Sequence, residues 1–234
     1  FLRYLLSSNI GEILTVVLGI VGAAAIGLDA GDGSVVLPLL ATQILWINLI
    51  TDSAPALAMG IDPPGENVMR RAPRPPTRRV LDTQMWSSVL QTGLVMALAA
   101  LFALDLQLPG GLVEGGRSLQ SARTASFTTL VFAQLFNCFN TRSAIASALR
   151  GLFTNAWLWG SVVLAAVLQV AVVQLPVGNA AFGTVPLTLA DWLVCTALGS
   201  SVLVHGEVRK LVLRALAARS RRAAYTRPCG FSGR

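Results

Sequence analysis

Two acidic residues lie inside long apolar segments of the sequence. Glu12 falls within residues 1–28, and Asp52 lies near the middle of residues 37–61. A carboxylate at the centre of a bilayer costs about 2.5–3.5 kcal/mol on insertion scales, so such residues need a partner and commonly mark an ion or proton path. Two carboxylates also match the charge of one divalent cation, which would lower the cost of burying them.

Polar neighbours share a helix face with each of these acids. Asn9 and Glu12 are three residues apart. Asn48, Thr51 and Asp52 follow i, i+3 and i+4 spacing, which also places them on one face. The two segments are joined by a short loop, so their polar faces can meet. Amide, hydroxyl and carboxylate oxygens are the ligands that a hard cation such as Ca²⁺ prefers, and the pattern predicts a cation site.

Pro55 follows Asp52 by three residues and has no backbone N–H, so the helix loses a hydrogen bond there. Carbonyl oxygens freed at membrane depth are tolerated where they line a cavity or bind an ion. The alternative for Pro55 is a packing kink. The alternative for the acids is structural pairing, but Arg3 lies about 13 Å from Glu12 along a helix, which is too far.

Further polar residues lie on a later apolar segment. Gln134 and Asn137 share a face at i, i+3 spacing, and Asn140 follows. They fit either interhelical hydrogen bonds or the ion site, and both interpretations stay open. Asp105 and Asp191 fall at segment ends, where we expect water to reach them.

The composition is that of a membrane protein. Of 234 residues, 54% are hydrophobic and 12% are charged, against about 25% charged in soluble domains. The apolar residues form blocks of about 20, the length that crosses a bilayer as a helix. The net charge of +7 fits residues that set membrane topology better than nucleic-acid binding, which we do not expect. The three cysteines lack the spacing of a metal site and are predicted to be free thiols.

We predict an all-α integral membrane bundle of six transmembrane helices. Residues 1–210 form the membrane domain, and residues 211–234 form a basic tail that is partly disordered. The predicted spans are Phe1–Leu28, Leu37–Ile61, Met85–Leu106, Thr124–Asn140, Ala156–Leu175 and Leu187–His205. With the N-terminus inside, sixteen of the eighteen basic residues fall on the cytoplasmic side, as the positive-inside rule requires. Both termini are therefore predicted to be cytoplasmic.

Three motifs resemble one family. The segment Ser7–Glu12 resembles the fifth membrane helix of calcium-type P-type ATPases, and Gln43–Ala56 resembles their sixth. Asp62–Pro64 followed by Met69–Arg74 resembles the loop after the sixth helix. The resemblance covers about Phe1–Lys210 and identifies the chain with membrane helices five to ten of these pumps.

The resemblance implies a transport role and a ligand set. In the family, phosphorylation of a cytoplasmic aspartate by ATP drives alternating access in the membrane helices. The positions that match the family's cation ligands are Asn9, Glu12, Asn48, Thr51 and Asp52. Gln134 joins this candidate metal set at a position where the reticulum-type pumps have a glutamate, so one ion per cycle is expected. Ca²⁺ is favoured as cargo, with Mn²⁺ or Na⁺ as alternatives because ligand type separates these ions poorly.

The motifs of ATP chemistry are absent from this sequence. It contains no Asp-Lys-Thr-Gly phosphorylation motif and no Thr-Gly-Glu motif, and its one Gly-Asp-Gly tripeptide, residues 31–33, lies in the loop between the first two predicted spans rather than in a hinge domain. We therefore expect no ATP hydrolysis by this chain alone. ATP and Mg²⁺ would act through phosphorylation, nucleotide-binding and actuator domains, which with membrane helices one to four and the lipid bilayer are the expected partners.

Three functions remain open at this stage. They are the transport part of a P-type cation pump, a small secondary cation transporter, and a non-catalytic truncated membrane fragment. Secondary transporters commonly contain internal repeats, and none is evident in this sequence. The excess of arginine over lysine, seventeen to one, is typical of GC-rich bacterial genomes. It favours the bacterial plasma membrane as the location.

Overall fold

The computed structural model describes residues 2–23, 28, 36–61, 82–113, 115–142 and 155–225, with backbone only for residues 52 and 217–225. Within these ranges the chain forms helices and no strands, as the predicted all-α class requires. The helices are α1 (Leu2–Val21), α2 (Ala41–Asp52), α3 (Ala54–Gly60), α4 (Thr83–Asp105), α5 (Leu119–Thr141), α6 (Ala156–Gln174), α7 (Pro176–Phe182) and α8 (Leu189–Tyr225).

Within the described ranges, four helices are long and apolar enough to cross a membrane. They are α1, α4, α6 and the first 28 residues of α8, Leu189–Leu216. Large apolar side chains on these helices face outward, among them Ile13 on α1 and Leu193 on α8, which are 60% and 64% exposed. Apolar surface of this extent fits contact with lipid tails rather than with water.

The second predicted span, Leu37–Ile61, is interrupted. α2 ends at Asp52 and α3 begins at Ala54, with Ser53 between them at φ −83° and ψ −81°. Pro55 stands in the first turn of α3, where its missing N–H is tolerated. Neither half alone has the length of a membrane-crossing helix. The predicted loosening near Pro55 is therefore present as a full break two residues before it.

The fourth predicted span corresponds to α5, which begins five residues earlier than predicted. α5 is less apolar than the four helices named above. It lies at the centre of the bundle rather than at its edge. α5 packs against α1, α2, α3, α4, α6 and α8. Its buried face carries many hydroxyl and amide side chains, including Thr128, Gln134 and Asn137. A helix that other helices surround does not need a lipid-facing surface, so its average hydropathy is low.

Other boundaries differ from the sequence prediction. α1 ends at Val21 rather than at Leu28, and α8 continues past His205 to Tyr225. The loop predicted after the fifth span contains the short helix α7. There the ring of Phe182 packs against the ring of Trp46 of α2 in a tilted arrangement, with ring centroids 4.9 Å apart. The Phe182 carbonyl accepts a hydrogen bond from Gln43 Nε2 at 3.1 Å. These contacts fix the start of α2.

Asp105 and Asp191 are buried, so the prediction that water reaches them is wrong. Asp105 is 1% exposed and accepts hydrogen bonds from the backbone N–H groups of Leu112 at 2.8 Å and Val113 at 3.0 Å. Asp191 is 5% exposed and pairs with Arg117 at 2.6 Å. The loop after α4 folds back over both carboxylates, and they stabilise that loop rather than face solvent.

Glycines bring α1 and α4 into close contact. A Cβ at Gly93 of α4 would lie 2.7 Å from Ile10 Cγ2 and 3.1 Å from the backbone nitrogen of Gly11. A Cβ at Gly11 would lie 3.1 Å from Met96 Sδ. Small residues let the two backbones approach, as is common in membrane bundles. This contact sets the position of the next residue on α1, Glu12.

Replacing Gly93 with alanine should therefore destabilise the bundle. The new methyl group overlaps Ile10 and the α1 backbone, and overpacking of this kind costs about 1–3 kcal/mol. The measurement is thermal unfolding in detergent, followed by the loss of helical circular dichroism. Gly160→Ala is the matched control, because nothing lies within 4 Å of a Cβ at Gly160. Equal unfolding midpoints for the two variants would contradict the close-contact interpretation.

Candidate functional site

The buried carboxylate of Glu12 lies where three helices meet. Glu12 is 5% exposed on α1. Asn48 Nδ2 of α2 donates to its Oε2 at 3.2 Å, and Gln134 Nε2 of α5 donates to its Oε1 at 2.9 Å. Each carboxylate oxygen thus has one amide donor from a different helix. The predicted meeting of the polar faces of the first two spans is present at Glu12 and Asn48.

Both amides leave their own oxygen atoms buried and without a partner. Asn48 Oδ1 and Gln134 Oε1 have no hydrogen-bond partner among the described residues. An unsatisfied buried acceptor costs about 1–3 kcal/mol. An amide presents its N–H₂ to a carboxylate but its oxygen to a cation, so a half-turn of each side chain would convert these two donors into ligands. The oxygens of this cluster match the chemistry of a hard cation.

Thr51 lies one helical turn after Asn48 on the same polar face of α2, and it is fully buried. Its Oγ1 donates to the Ile47 carbonyl at 2.9 Å. Its own carbonyl is the one that would accept from residue 55 in a regular helix, and Pro55 has no N–H to give. Tyr4 of α1 donates its hydroxyl to that carbonyl at 3.1 Å. The broken helix is therefore held against α1 one turn from the Glu12 cluster.

Of the other predicted site residues, Asn9 has no described hydrogen bond to this cluster, and the Asp52 side chain lies outside the described residues. Asn9 is half-buried on α1, and its Nδ2 donates back to the Leu5 carbonyl at 3.0 Å. Asp52 is the last residue of α2. The pairing of Glu12 with Asp52 therefore stays a prediction, whereas Glu12, Asn48 and Gln134 are together.

The described part of the chain holds no cluster of three or more His, Cys, Asp or Glu side chains. Glu12 is the one carboxylate that the described side chains place at this site, and the amides that contact it are neutral. The predicted free thiols Cys138 and Cys195 are buried and unbridged, and Cys229 lies outside the described residues.

Sequence reasoning missed three hydroxyl residues of α1 near the site. Tyr4 holds the Thr51 carbonyl, and Ser7 Oγ accepts from Asn137 Nδ2 of α5 at 2.7 Å. Ser8 is fully buried, and its Oγ has no partner within the described ranges. Ser8 precedes Glu12 by one helical turn, so the same i, i+4 spacing that grouped the other ligands could have found it.

Asn137 and Asn140 serve as interhelical hydrogen-bonding residues. Asn137 binds Ser7, and Asn140 Nδ2 donates to the Val202 carbonyl of α8 at 2.7 Å. Neither side chain contacts Glu12 through a hydrogen bond that is described. The interhelical hydrogen bonds predicted for these asparagines are present, and within the described hydrogen bonds Gln134 is the residue of this group that donates to Glu12.

Comparison with known proteins identifies the family of the chain. Residues 36–212 match the family model described as the C-terminus of cation-transporting ATPases. The chain is 34% identical over 200 residues to a calcium-transporting ATPase of Bacillus subtilis, covering 86% of this chain and 21% of that protein. It is 34% identical over 222 residues to calcium-transporting ATPase 1 of Bacillus cereus, covering 89% of this chain and 23% of that protein.

A eukaryotic relative is also similar. An endoplasmic reticulum calcium ATPase of Aspergillus fumigatus is 28% identical over an alignment 243 residues long, gaps included. The alignment covers 92% of this chain and 24% of that protein. The chain thus spans about one fifth to one quarter of the length of these relatives. Because the family model matches well over half of the 234 residues, the chain belongs to the family of cation-transporting ATPase C-termini, the membrane region at the end of these proteins.

Proposed function

We propose that this chain is the cation-binding and translocating membrane part of an ATP-driven P-type pump, with Ca²⁺ as its favoured cargo. The single observation that carries the proposal is the Glu12 cluster, in which a buried carboxylate has two amide neighbours with unsatisfied oxygens. The names of the relatives, calcium-transporting ATPases, favour Ca²⁺ over Mn²⁺ and Na⁺.

Ion binding at this site would change the roles of three side chains. Glu12 would supply negative charge, while Asn48 and Gln134 would turn their oxygens towards the ion. Asn9, Thr51 and Asp52 complete the proposed ligand set from the same two helices. Ca²⁺ takes six to eight oxygens at about 2.3–2.6 Å. With Gln134 neutral, Glu12 and Asp52 carry a total charge that matches one divalent ion.

The break at Ser53 supports translocation as well as binding. Discontinuous helices occur in transporters at the substrate site, where unwound backbone can line the ion path. α2 and α3 can change their relative angle at Ser53 without breaking a continuous ladder of hydrogen bonds. We propose that this hinge lets the site open alternately to the two sides of the membrane.

The remaining parts of the pump would come from outside this chain. The relatives are four to five times as long as the matched region. We propose that phosphorylation, nucleotide-binding and actuator domains and membrane helices one to four supply ATP and Mg²⁺ chemistry to it. The loop 62–84, which lies largely outside the described residues, would contact the phosphorylation domain. We also propose six membrane spans, cytoplasmic termini and the bacterial plasma membrane as the location.

Glu12→Gln in the intact gene product should weaken Ca²⁺ binding by at least about thirtyfold. Removing one charge from a buried, hydrogen-bonded charge pair costs about 2–5 kcal/mol, and tenfold corresponds to about 1.4 kcal/mol. Retention of radioactive Ca²⁺ by the purified protein gives the affinity. Glu207→Gln, the same substitution on α8 with a 25% exposed side chain, should bind Ca²⁺ normally. Unchanged binding in Glu12→Gln would rule out this site.

Gln134 can be tested by two substitutions of similar size. Gln134→Met removes the amide oxygen and should weaken Ca²⁺ binding, whereas Gln134→Glu adds a charged ligand and should strengthen it at alkaline pH. The added carboxylate would lie beside Glu12, so mutual repulsion in the empty site should make binding weaken steeply as the pH falls. Ca²⁺ affinity measured against pH separates the two variants. If both match the wild-type protein, Gln134 does not face the ion.

The membrane topology predicts where reporters are active. Alkaline phosphatase, which works only outside the cytoplasm, should be inactive when fused after Arg234 and active when fused after Gly110. Green fluorescent protein fused at the same two positions should give the opposite pattern. An active phosphatase after Arg234 would reverse the proposed orientation or change the number of spans from six to an odd number.

A further inference from the structure

Basic side chains from two helices gather at one end of the bundle. Arg3 of α1 and Arg209 and Lys210 of α8 line one small polar cavity of about 20 Å³. Lys210 is only 3% exposed, and its Nζ lies 3.3 Å from Glu207 Oε1. Three cations against one described acid at this cavity produce a positive potential that attracts an anion.

A groove between α4 and α8 opens beside this cavity, and Arg209 lines both. The groove has a volume of about 370 Å³, within the range of about 300–1,000 Å³ that small-molecule pockets have. Gln84, Ser87 and Gln91 form its α4 side at i, i+3 and i+7 spacing. Arg209 Nη2 donates to the Gln84 carbonyl at 3.4 Å, so the guanidinium lies at the polar end of the groove.

One residue that lines the groove has a buried polar atom without a hydrogen-bond partner in the described part of the chain. His205 lines it, and His205 Nε2 has no hydrogen-bond partner within the described ranges. His205 and Arg209 are one turn apart on α8, so both can approach the same anion. A guanidinium forms paired hydrogen bonds with phosphate oxygens, and the imidazole adds one more donor.

The remaining residues that line the groove, Val208, Val212 and Leu213, are apolar. Val208 and Val212, which line it, are 54% and 52% exposed. A free phosphate ion gains no favourable contact from this apolar surface. A phospholipid can place its phosphate at the polar end and its acyl chains along the apolar side chains. Basic pockets between membrane helices on the cytoplasmic side are typical sites for anionic headgroups.

We infer that this groove binds the headgroup of one anionic phospholipid, with the phosphate on Arg209 and His205 and an acyl chain along Val208 and Val212. The cytoplasmic position of the groove rests on the topology in the proposed function. Binding of the lipid does not depend on the ion site, so the two proposals can fail separately.

The test is a titration of the intact gene product, purified and delipidated in detergent, with phosphatidylglycerol. Native mass spectrometry counts the first lipid bound. Arg209→Gln should weaken this first binding by about fivefold, the effect of one basic residue near a membrane surface. Val212→Trp should weaken it as well, because the ring fills the groove without changing charge. Arg123→Gln, the same substitution on α5, should bind phosphatidylglycerol as the wild-type protein does.

Three results would overturn the inference. The first is wild-type affinity in both Arg209→Gln and Val212→Trp. The second is equal affinity for phosphatidylcholine, whose headgroup has no net charge. The third is displacement of the lipid by inorganic phosphate, which would mark a site for a free anion. Circular dichroism of each variant confirms that its helices are intact, and Val212→Trp still tests the groove if Arg209→Gln fails to fold.

Discussion

Burial of the Glu12 carboxylate is the constraint on which the rest of this bundle depends. A charged group at this depth must find donors within the protein, and here amides from two other helices supply them. α1, α2 and α5 must therefore meet at one level. The Gly11–Gly93 contact brings α1 deep enough into the bundle, and the hydroxyl-rich α5 accepts it because α5 does not face lipid. In satisfying Glu12, the amides leave two oxygens unsatisfied, and a bound cation would remove that cost.

The break in the second span follows from a single missing donor. Pro55 cannot bond the Thr51 carbonyl, and Tyr4 replaces the missing N–H from a neighbouring helix. The replacement comes from α1, the same helix that carries Glu12. The broken helix is thus tied to α1 at two levels, through Asn48 and through Thr51. A break elsewhere in α2 would not keep the Asn48 amide facing the carboxylate.

Much of this arrangement could be predicted from residue types and spacing, and the rest required three-dimensional contacts. Helical periodicity placed Asn48 on a face that meets Glu12, and Pro55 indicated a disturbed helix. The exact break at Ser53 could not be predicted, because Pro55 indicates a disturbed helix without fixing the residue at which it ends. The Tyr4 hydroxyl that replaces the missing donor comes from another helix. The position of Asp105 at the end of a span predicts exposure to water. The two N–H groups that bind it belong to a loop, and helical periodicity cannot predict how a loop folds. The low hydropathy of α5 follows from its central position in the bundle, and helical periodicity does not reveal that position.

The packing divides the bundle into two parts that meet at the candidate ion site. α4 packs against α1, α5 and α8, and α5 packs against α8, whereas α2 and α3 contact α5, α6 and α7. Glu12 and Gln134 belong to the first group, and Asn48 belongs to the second. An ion bound between them would join the two parts, which near the site also contact each other through the Asn48–Glu12 hydrogen bond at 3.2 Å and the Tyr4–Thr51 hydrogen bond at 3.1 Å. Residues 62–81 follow α3 in the sequence, so a movement of α3 at the Ser53 break would also displace the start of that segment. In the proposed pump, this covalent connection would be the link between ion binding and the rest of the protein.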